Sequence, residues 1–508
     1  MFFTNVSNLV DKNDKKFFKE QIDVYIRMTE VCCEKYHMVN DENDDINNDV
    51  LNELIDIGVI NGSSDLPNLK SLLKGKFSSF IKSVKFCKNN KDIAYDAVWK
   101  LNNSERKKLQ DEHLKHEKLT LADFFCGAGG LSLGFIQEGF NIKLANDIED
   151  VCIQTYKYNH PQLNSKYVVQ DDIKYLIQDI DDFINCEIDV VVGGPPCQGF
   201  SQANQQRIID DPRNELYKYF IKMVEKIAPK FVVMENVKGM LKVADQVVED
   251  YELIDIVKNN KKLSYHASYE LLNSKDFSVA QNRERLIYIA IRSDISEKLN
   301  IKPEDIFNRI KENNKDNKIF ILNDVLKDIK PLDAPRVKNM TNVNSEISGK
   351  KIDVNYYEDN ENEYLKLINE NRKIPYIFNH KARYCNDINY EIYDKLDQGD
   401  DSTNEKIKDI MPYSHRNHVF KDKYYKLIAD NPCRTITAHM RMDCHSHIHP
   451  FQTRALTPRE AARVQSFPDD YLFWGPYLKT YMQIGNAVPP VMARGIANVI
   501  KNYLISLN

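Results

Sequence analysis

The sequence predicts an α/β protein, with a doubly wound and mostly parallel sheet, a smaller mixed α+β region and a helical N-terminal extension. Three observations predict it. From Leu119 onward, short β-branched apolar runs alternate with helical stretches, the pattern of strands buried on both faces. Gly, Asp, Cys and Glu residues recur at the ends of those runs, where α/β sheets hold their ligands. A length of 508 residues exceeds what one hydrophobic core ordinarily organises, so two or three domains are expected.

In chain order, residues 1–118 read as a helical extension. FFKEQIDVYIRMTEVCCEKY has apolar residues at helical spacing, and Cys32 and Cys33 fall in its core. The acidic run Asp41 to Asp49 reads as a solvated loop, and ERKKLQDEHLKHEK as a charged helix. Residues 119–292 hold the strand candidates LTLADFF, NIKLANDIE, EIDVVVGGPP, PKFVVMENV and RLIYIAIR. From 293 to 450 the pattern loosens into polar stretches such as VKNMTNVNSEISGKKIDVNYYEDNENE, read as a separate, less regular domain. A dense motif block closes the chain at 451–508.

Hydrophobic residues make up 42% and charged residues 29%, ordinary for a soluble globular chain. A net charge of -5 carries no global nucleic-acid signal, so any such surface must be a local concentration of Lys and Arg. Ten cysteines without a CxxC pair argue against a disulfide framework or structural zinc and fit a reducing cytoplasm. The opening MFFTNVSNLVDKNDKKFF lacks a signal-peptide core, and no run of 18 apolar residues occurs, so no membrane span is expected.

Four constellations carry chemistry. Cys126-Gly127-Ala128-Gly129-Gly130 follows a strand and opens a helix, letting backbone approach a ligand. It lacks the full GxGxxG pattern of dinucleotide sites. Asp147 ends the next strand, where a carboxylate can take ribose hydroxyls, and Asp172 ends the following unit; a helix-capping role stays open for both. In Gly193-Gly194-Pro195-Pro196-Cys197-Gln198, two prolines stiffen the backbone after a strand. Cys197 then stands at the mouth of the sheet, although a lone cysteine also reads as a small buried hydrophobe. Glu235 ends FVVME, an acid next to a nucleophile. Gln281, Arg283 and Arg285 alternate and so share one face of a strand.

The blocks DFFCGAGGLSLGF, GGPPCQGFS, ENV, QNRER, RALTPREAARVQSFPDDY and QIGNAVPP, in that order, resemble the C5-cytosine DNA methyltransferase family of prokaryotic type. The resemblance covers about 119–292 and 450–500. It implies a Rossmann-like methyltransferase sheet at 119–292, a target-recognition domain at 293–450, and closing motifs at 451–508 that return to the catalytic domain. It also implies S-adenosylmethionine as cofactor and methyl transfer to C5 of a flipped cytosine through a covalent Cys197 adduct. Glu235 matches the partner of the cytosine ring, Arg283 its carbonyl-side contact and Arg285 a supporting arginine. Phe125, Gly127, Gly129, Leu131, Asp147, Ile148, Asp172, Pro195, Leu216 and Asn486 match the cofactor pocket, with Asp147 on the ribose, Ile148 on the adenine and Asp172 at its amino group. Cys126 stands where the family often has Ala.

The implied partner is double-stranded DNA, with the loop from Gln198 to Arg213 closing over the flipped base. A cognate restriction endonuclease, or another partner through the N-terminal extension, completes the expected partners. His439, Cys444, His445, His447 and His449 read as a strand edge or DNA-facing surface, since alternate histidines on one strand do not converge on one ion. Two alternatives stand beside this reading. A tRNA cytosine-5 methyltransferase is opposed by the length of 293–450 and the missing Cys-Phe-Thr tripeptide; a catalytically silent DNA-binding regulator is opposed by the intact motif set.

Overall fold

Val190 and Val192 pack into one apolar cluster and Val191 into another, because successive side chains of a strand point to opposite faces. The same alternation separates Leu121 from Ala122, so each strand is buried on both sides and needs helices above and below. The structure, a computed structural model, describes residues 2–115, 119–196, 216–258, 261–355, 362–412 and 423–507.

Five strands, β1 (Thr120–Phe124), β2 (Asn141–Asp147), β3 (Val168–Gln170), β4 (Val190–Gly193) and β5 (Phe231–Val237), are followed by a small hairpin, β6 (Ile256–Lys258) and β7 (Lys261–Leu263). Next come β8 (Tyr265–Asn273), the two-residue β9 (Gln281–Asn282) and β10 (Glu284–Arg292). The main sheet has the order β3-β2-β1-β4-β5-β10-β8. Its first five strands are parallel, and β10 joins β5 and β8 antiparallel. Helices Gly130–Gln137 and Pro490–Ile505 cover one face; Ile173–Phe183, Leu216–Ile227 and Ala244–Glu252 cover the other. This is the predicted doubly wound α/β sheet. Strand order reverses between β1 and β4, the place where such sheets open a crevice.

The apolar core of the sheet continues past residue 292. Ile295, Ile306, Phe307, Ile310, Leu322 and Val325 belong to the same cluster as Val190 and Val233. Farther on, β11 (Gly349–Val354) and β12 (Tyr376–Lys381) form an antiparallel hairpin, and β13 (Cys433–Arg434) pairs parallel with β9.

Among the described residues, six α-helices stand before the sheet, Lys12–Tyr36, Asn48–Ile57, Leu66–Leu73, Lys76–Asn89, Lys91–Val98 and Asn103–Lys115. The apolar faces of the first five share one cluster with Ile352, Val354, Tyr376 and Phe378 of the hairpin and with Tyr158, Leu472 and Trp474. Phe2 sits at the joint, its ring 5.8 Å from Tyr158 and 5.7 Å from Trp474. Polar links run alongside: Lys351 to Glu20 at 2.5 Å, Arg27 Nε to the Ile352 carbonyl at 3.0 Å, and Lys100 to Asp470 at 3.3 Å. The expected solvated loop ends early, since Asp49 lies in the first turn of helix Asn48–Ile57, capped by Asn47. Among the described residues no helix is long and apolar enough to cross a membrane.

Candidate active site

The carboxyl ends of β3, β2, β1, β4 and β5 stand in a row, and most of the expected site residues lie on them. At the end of β1, Phe125 takes a left-handed backbone conformation (φ 57). The Cys126 amide donates to the Asn146 carbonyl at 2.9 Å, so the glycine turn folds toward β2. The Gly127 amide then donates to Asp147 Oδ2 at 2.8 Å, while Oδ1 accepts from the Glu149 amide at 2.8 Å. Burial pushes the Asp147 carboxyl above its ordinary range. Ile148, beside it, is 62% exposed. Asn146 ties β2 to the end of β3, donating to the Asp171 carbonyl at 2.9 Å. Asp172 caps helix Ile173–Phe183, accepting from the Lys174 amide, so its capping reading is realised. Leu131 is buried in the core beneath the turn. Leu216, half-buried, begins helix Leu216–Ile227.

A second group gathers at β4 and β5. Gly194 follows β4 with no side chain to spare: a Cβ there would lie 3.1 Å from Glu235 Oε2. Glu235 is buried on β5, and its Oε1 sits 2.8 Å from Arg285 Nε. Asn236 donates to the Pro195 carbonyl at 2.9 Å, fixing the proline segment against β5. Cys197, and the loop from Gln198 to Arg213, lie outside the described residues.

The two arginines make different contacts. Gln281, Arg283 and Arg285 were expected on one strand face, and burial alternates accordingly, with Asn282 and Glu284 exposed between them, although the ladder changes partners at Arg283. β9 pairs with β13, whereas β10 pairs with β5 and β8. Arg283, between the two ladders, still lies on the side of Arg285 and Glu235, close enough for their charges to act on it. Its guanidinium is buried and donates to the carbonyls of Ile436 (2.7 Å), Gly485 (3.1 Å) and Ala487 (3.0 Å), the last two flanking the exposed Asn486. Arg285 faces Glu235. Gln281 is a buried strut, donating to Gln465 at 2.6 Å and accepting from the Ile436 amide.

The histidine segment is not a strand either. His447 bonds to Ser446 and to the Thr435 carbonyl. His449 accepts from the amides of Phe451 and Gln452. His445 lies stacked on Tyr424 with ring centroids 4.4 Å apart. Among the described residues no group of three or more His, Cys, Asp or Glu could hold a metal ion.

Sequence reading missed a buried cluster under the glycine turn. Ser132 donates to Asp123, Tyr156 donates to Ser132 at 2.8 Å, and Tyr471 reaches the Ala128 carbonyl. Burial pushes the Asp123 carboxyl up to about 8. Asp123 and Ser132 stand in the block DFFCGAGGLSLGF and Tyr471 ends RALTPREAARVQSFPDDY, but nothing local to either block says that they meet.

The family model for C-5 cytosine-specific DNA methylase matches residues 119–502. The chain belongs to that family. It is a DNA cytosine methyltransferase. Among curated relatives of this DNA methylase, the type II methyltransferase M.AgeI of Thalassovita gelatinovora is 31% identical over 440 residues, covering 75% of this chain and 98% of that one. The type II methyltransferase M1.HphI of Haemophilus parahaemolyticus is 32% identical over 392 residues, 75% of this chain and 86% of that one. Among solved structures, one described as a DNA modification methyltransferase encoded within a prophage (E. coli) is similar, with TM-score 0.56 and 25% identity. The match covers 76% of this DNA methylase and 99% of that chain.

Proposed function

We propose that the chain methylates C5 of a cytosine within a short specific sequence of double-stranded DNA, using S-adenosylmethionine and a covalent adduct through Cys197. The observation that carries this reading is the Glu235–Arg285 pair beside Gly194, at the carboxyl ends of neighbouring β4 and β5. A carboxyl group next to a guanidinium suits N3 and O2, neighbours on the edge by which a flipped base is read.

The residues at β1 to β3 fit the methyl donor. Asp147 offers carboxylate oxygens to ribose hydroxyls, and the exposed Ile148 offers an apolar face to adenine. Nothing stands within 4 Å of where a side chain at Gly127 would point, which leaves room at the turn. On this reading Phe125, Gly129, Leu131, Asp172, Pro195, Leu216 and Asn486 complete the pocket. When bound, S-adenosylmethionine supplies an electrophilic methyl group.

The chain's own residues prepare the base. Cytosine C5 is a poor nucleophile until C6 carries a substituent. The Cys197 thiolate adds to C6, forming the C6–S bond and opening the C5–C6 double bond, while Glu235 donates a proton or hydrogen bond at N3. Electron density then sits on C5. After C5 is methylated, a base takes the C5 proton, the C–H electron pair re-forms the C5–C6 double bond and expels the Cys197 thiolate, and any proton taken up at N3 returns to Glu235. Arg285, rather than Arg283, takes O2, because Arg283 is committed to three backbone carbonyls. Flipping the base out of the duplex costs roughly a few kcal/mol. Modification of this kind protects the motif from a restriction endonuclease of matching specificity, the partner that the relatives' names suggest.

Bisulfite sequencing of DNA from a methylation-free host expressing the chain, beside its Cys197→Ser variant, tests the reading. The expected result is a discrete methylated motif that disappears in the variant. An unmethylated genome from folded protein, or a motif that survives Cys197→Ser, would overturn it.

A further inference from the structure

Beneath the glycine turn lie two buried groups that the chemistry above does not use. The Tyr471 hydroxyl donates to the Ala128 carbonyl, 343 positions away in sequence, and lies 3.1 Å from His160 Nε2. A phenol has one proton. With that proton given to Ala128, the imidazole must be the donor and carries a proton on Nε2. Its ring lies against Tyr156, with centroids 4.2 Å apart. Burial holds the His160 imidazole down to about 3.

The turn rests directly on this pair. Gly129 adopts φ 85, and a Cβ there would come within 2.6 Å of His160 Nε2 and 2.9 Å of Tyr471 Oη. Only glycine combines that left-handed backbone with so close an approach. The same turn presents the Gly127 amide to Asp147. A phenylalanine at 471 would fill nearly the same volume, so what the hydroxyl adds is its hold on the Ala128 carbonyl.

We propose that Tyr471 and His160 are positioning residues for the methyl-donor site, pinning the Ala128 carbonyl and with it the conformation of Gly127 to Gly129. The inference rests on the reading that S-adenosylmethionine occupies that turn. It gives the closing motif block a direct task at the donor site, in addition to its packing on the sheet.

The test is calorimetric titration of the full chain with S-adenosylhomocysteine, alongside steady-state methylation of duplex DNA and thermal unfolding. Tyr471→Phe is expected to weaken S-adenosylhomocysteine binding by roughly three- to ten-fold, the worth of one hydrogen bond. It should raise the donor KM by a similar factor and leave the DNA KM and kcat near wild type. His160→Gln keeps an N–H donor and should retain more affinity than His160→Ala; this pair carries the test if Tyr471→Phe does not fold. Wild-type affinity in Tyr471→Phe, or equal affinities in the two His160 variants, would overturn the inference alone. A wild-type chain that takes up no S-adenosylhomocysteine would overturn the donor-site reading and this inference together.

Discussion

Glu235 Oε1 and Arg285 Nε meet at 2.8 Å across the β5–β10 ladder. The register explains the contact. Arg285 stands opposite Val237, and Glu235, two residues earlier on β5, shares its face, so the two form a diagonal pair. Both side chains are largely shielded, at 14% and 11% exposure, which strengthens their fields at any base held there.

Glu235→Gln and Arg285→Met should each lower kcat about a hundred-fold or more, the usual effect of losing a positioned acid or charge stabiliser. Binding of S-adenosylhomocysteine should stay close to wild type. Equal loss of cofactor binding and turnover would assign the pair to folding instead of base chemistry.

Arg283 should behave in the opposite way. Arg283→Met strands the Ile436 and Gly485 carbonyls in the core, at a cost of about 3 kcal/mol. A lowered urea midpoint, with much of the turnover retained in the folded fraction, is the expected outcome. A variant as stable as wild type but inactive at saturating substrates would restore Arg283 to the base.

Stability should fall as pH drops from 7 to 5. Burial is the leading cause holding His160, His447 and His449 at about 3, and His380 and His445 at about 4. Their folded values lie below the unfolded value near 6.5, so protons favour the unfolded chain. The stability they contribute is present above about pH 6.5 and is lost as pH falls toward 4. Each imidazole costs about 2 kcal/mol over that span from 7 to 5. Asp123, Asp147 and Glu53, raised chiefly by burial, pull the other way, but five histidines outweigh them. Denaturant midpoints at pH 7, 6 and 5 check this; a flat or rising series contradicts it.

Removing residues 2–115 should leave an insoluble chain. The deletion uncovers Tyr158, Tyr376, Phe378 and Trp474, whose common cluster is completed by the N-terminal helices, and exposed aromatic patches of this kind drive aggregation. A milder probe is Trp474→Ala, which should cost about 3–5 kcal/mol. Recovery of soluble, active 119–508 would show the extension to be dispensable.

Much of this protein is legible in its sequence. Apolar runs such as DVVVGG and FVVMENV, interleaved with helical stretches, specify a parallel sheet because strands covered on both faces need continuous hydrophobicity. Motif order then located Asp147, Pro195 and Glu235 at strand ends, since chain direction alone decides which end of a parallel strand faces the crevice. Tertiary structure decided the rest. That Arg285 and not Arg283 pairs with Glu235 follows from the carbonyls of Ile436, Gly485 and Ala487, which take up the Arg283 guanidinium from 153 to 204 positions away in sequence. Tyr471 under the glycine turn and Phe2 against Trp474 have the same character. Periodicity marks such residues as buried, but what a buried group touches is set by packing between distant segments, and no local pattern encodes that.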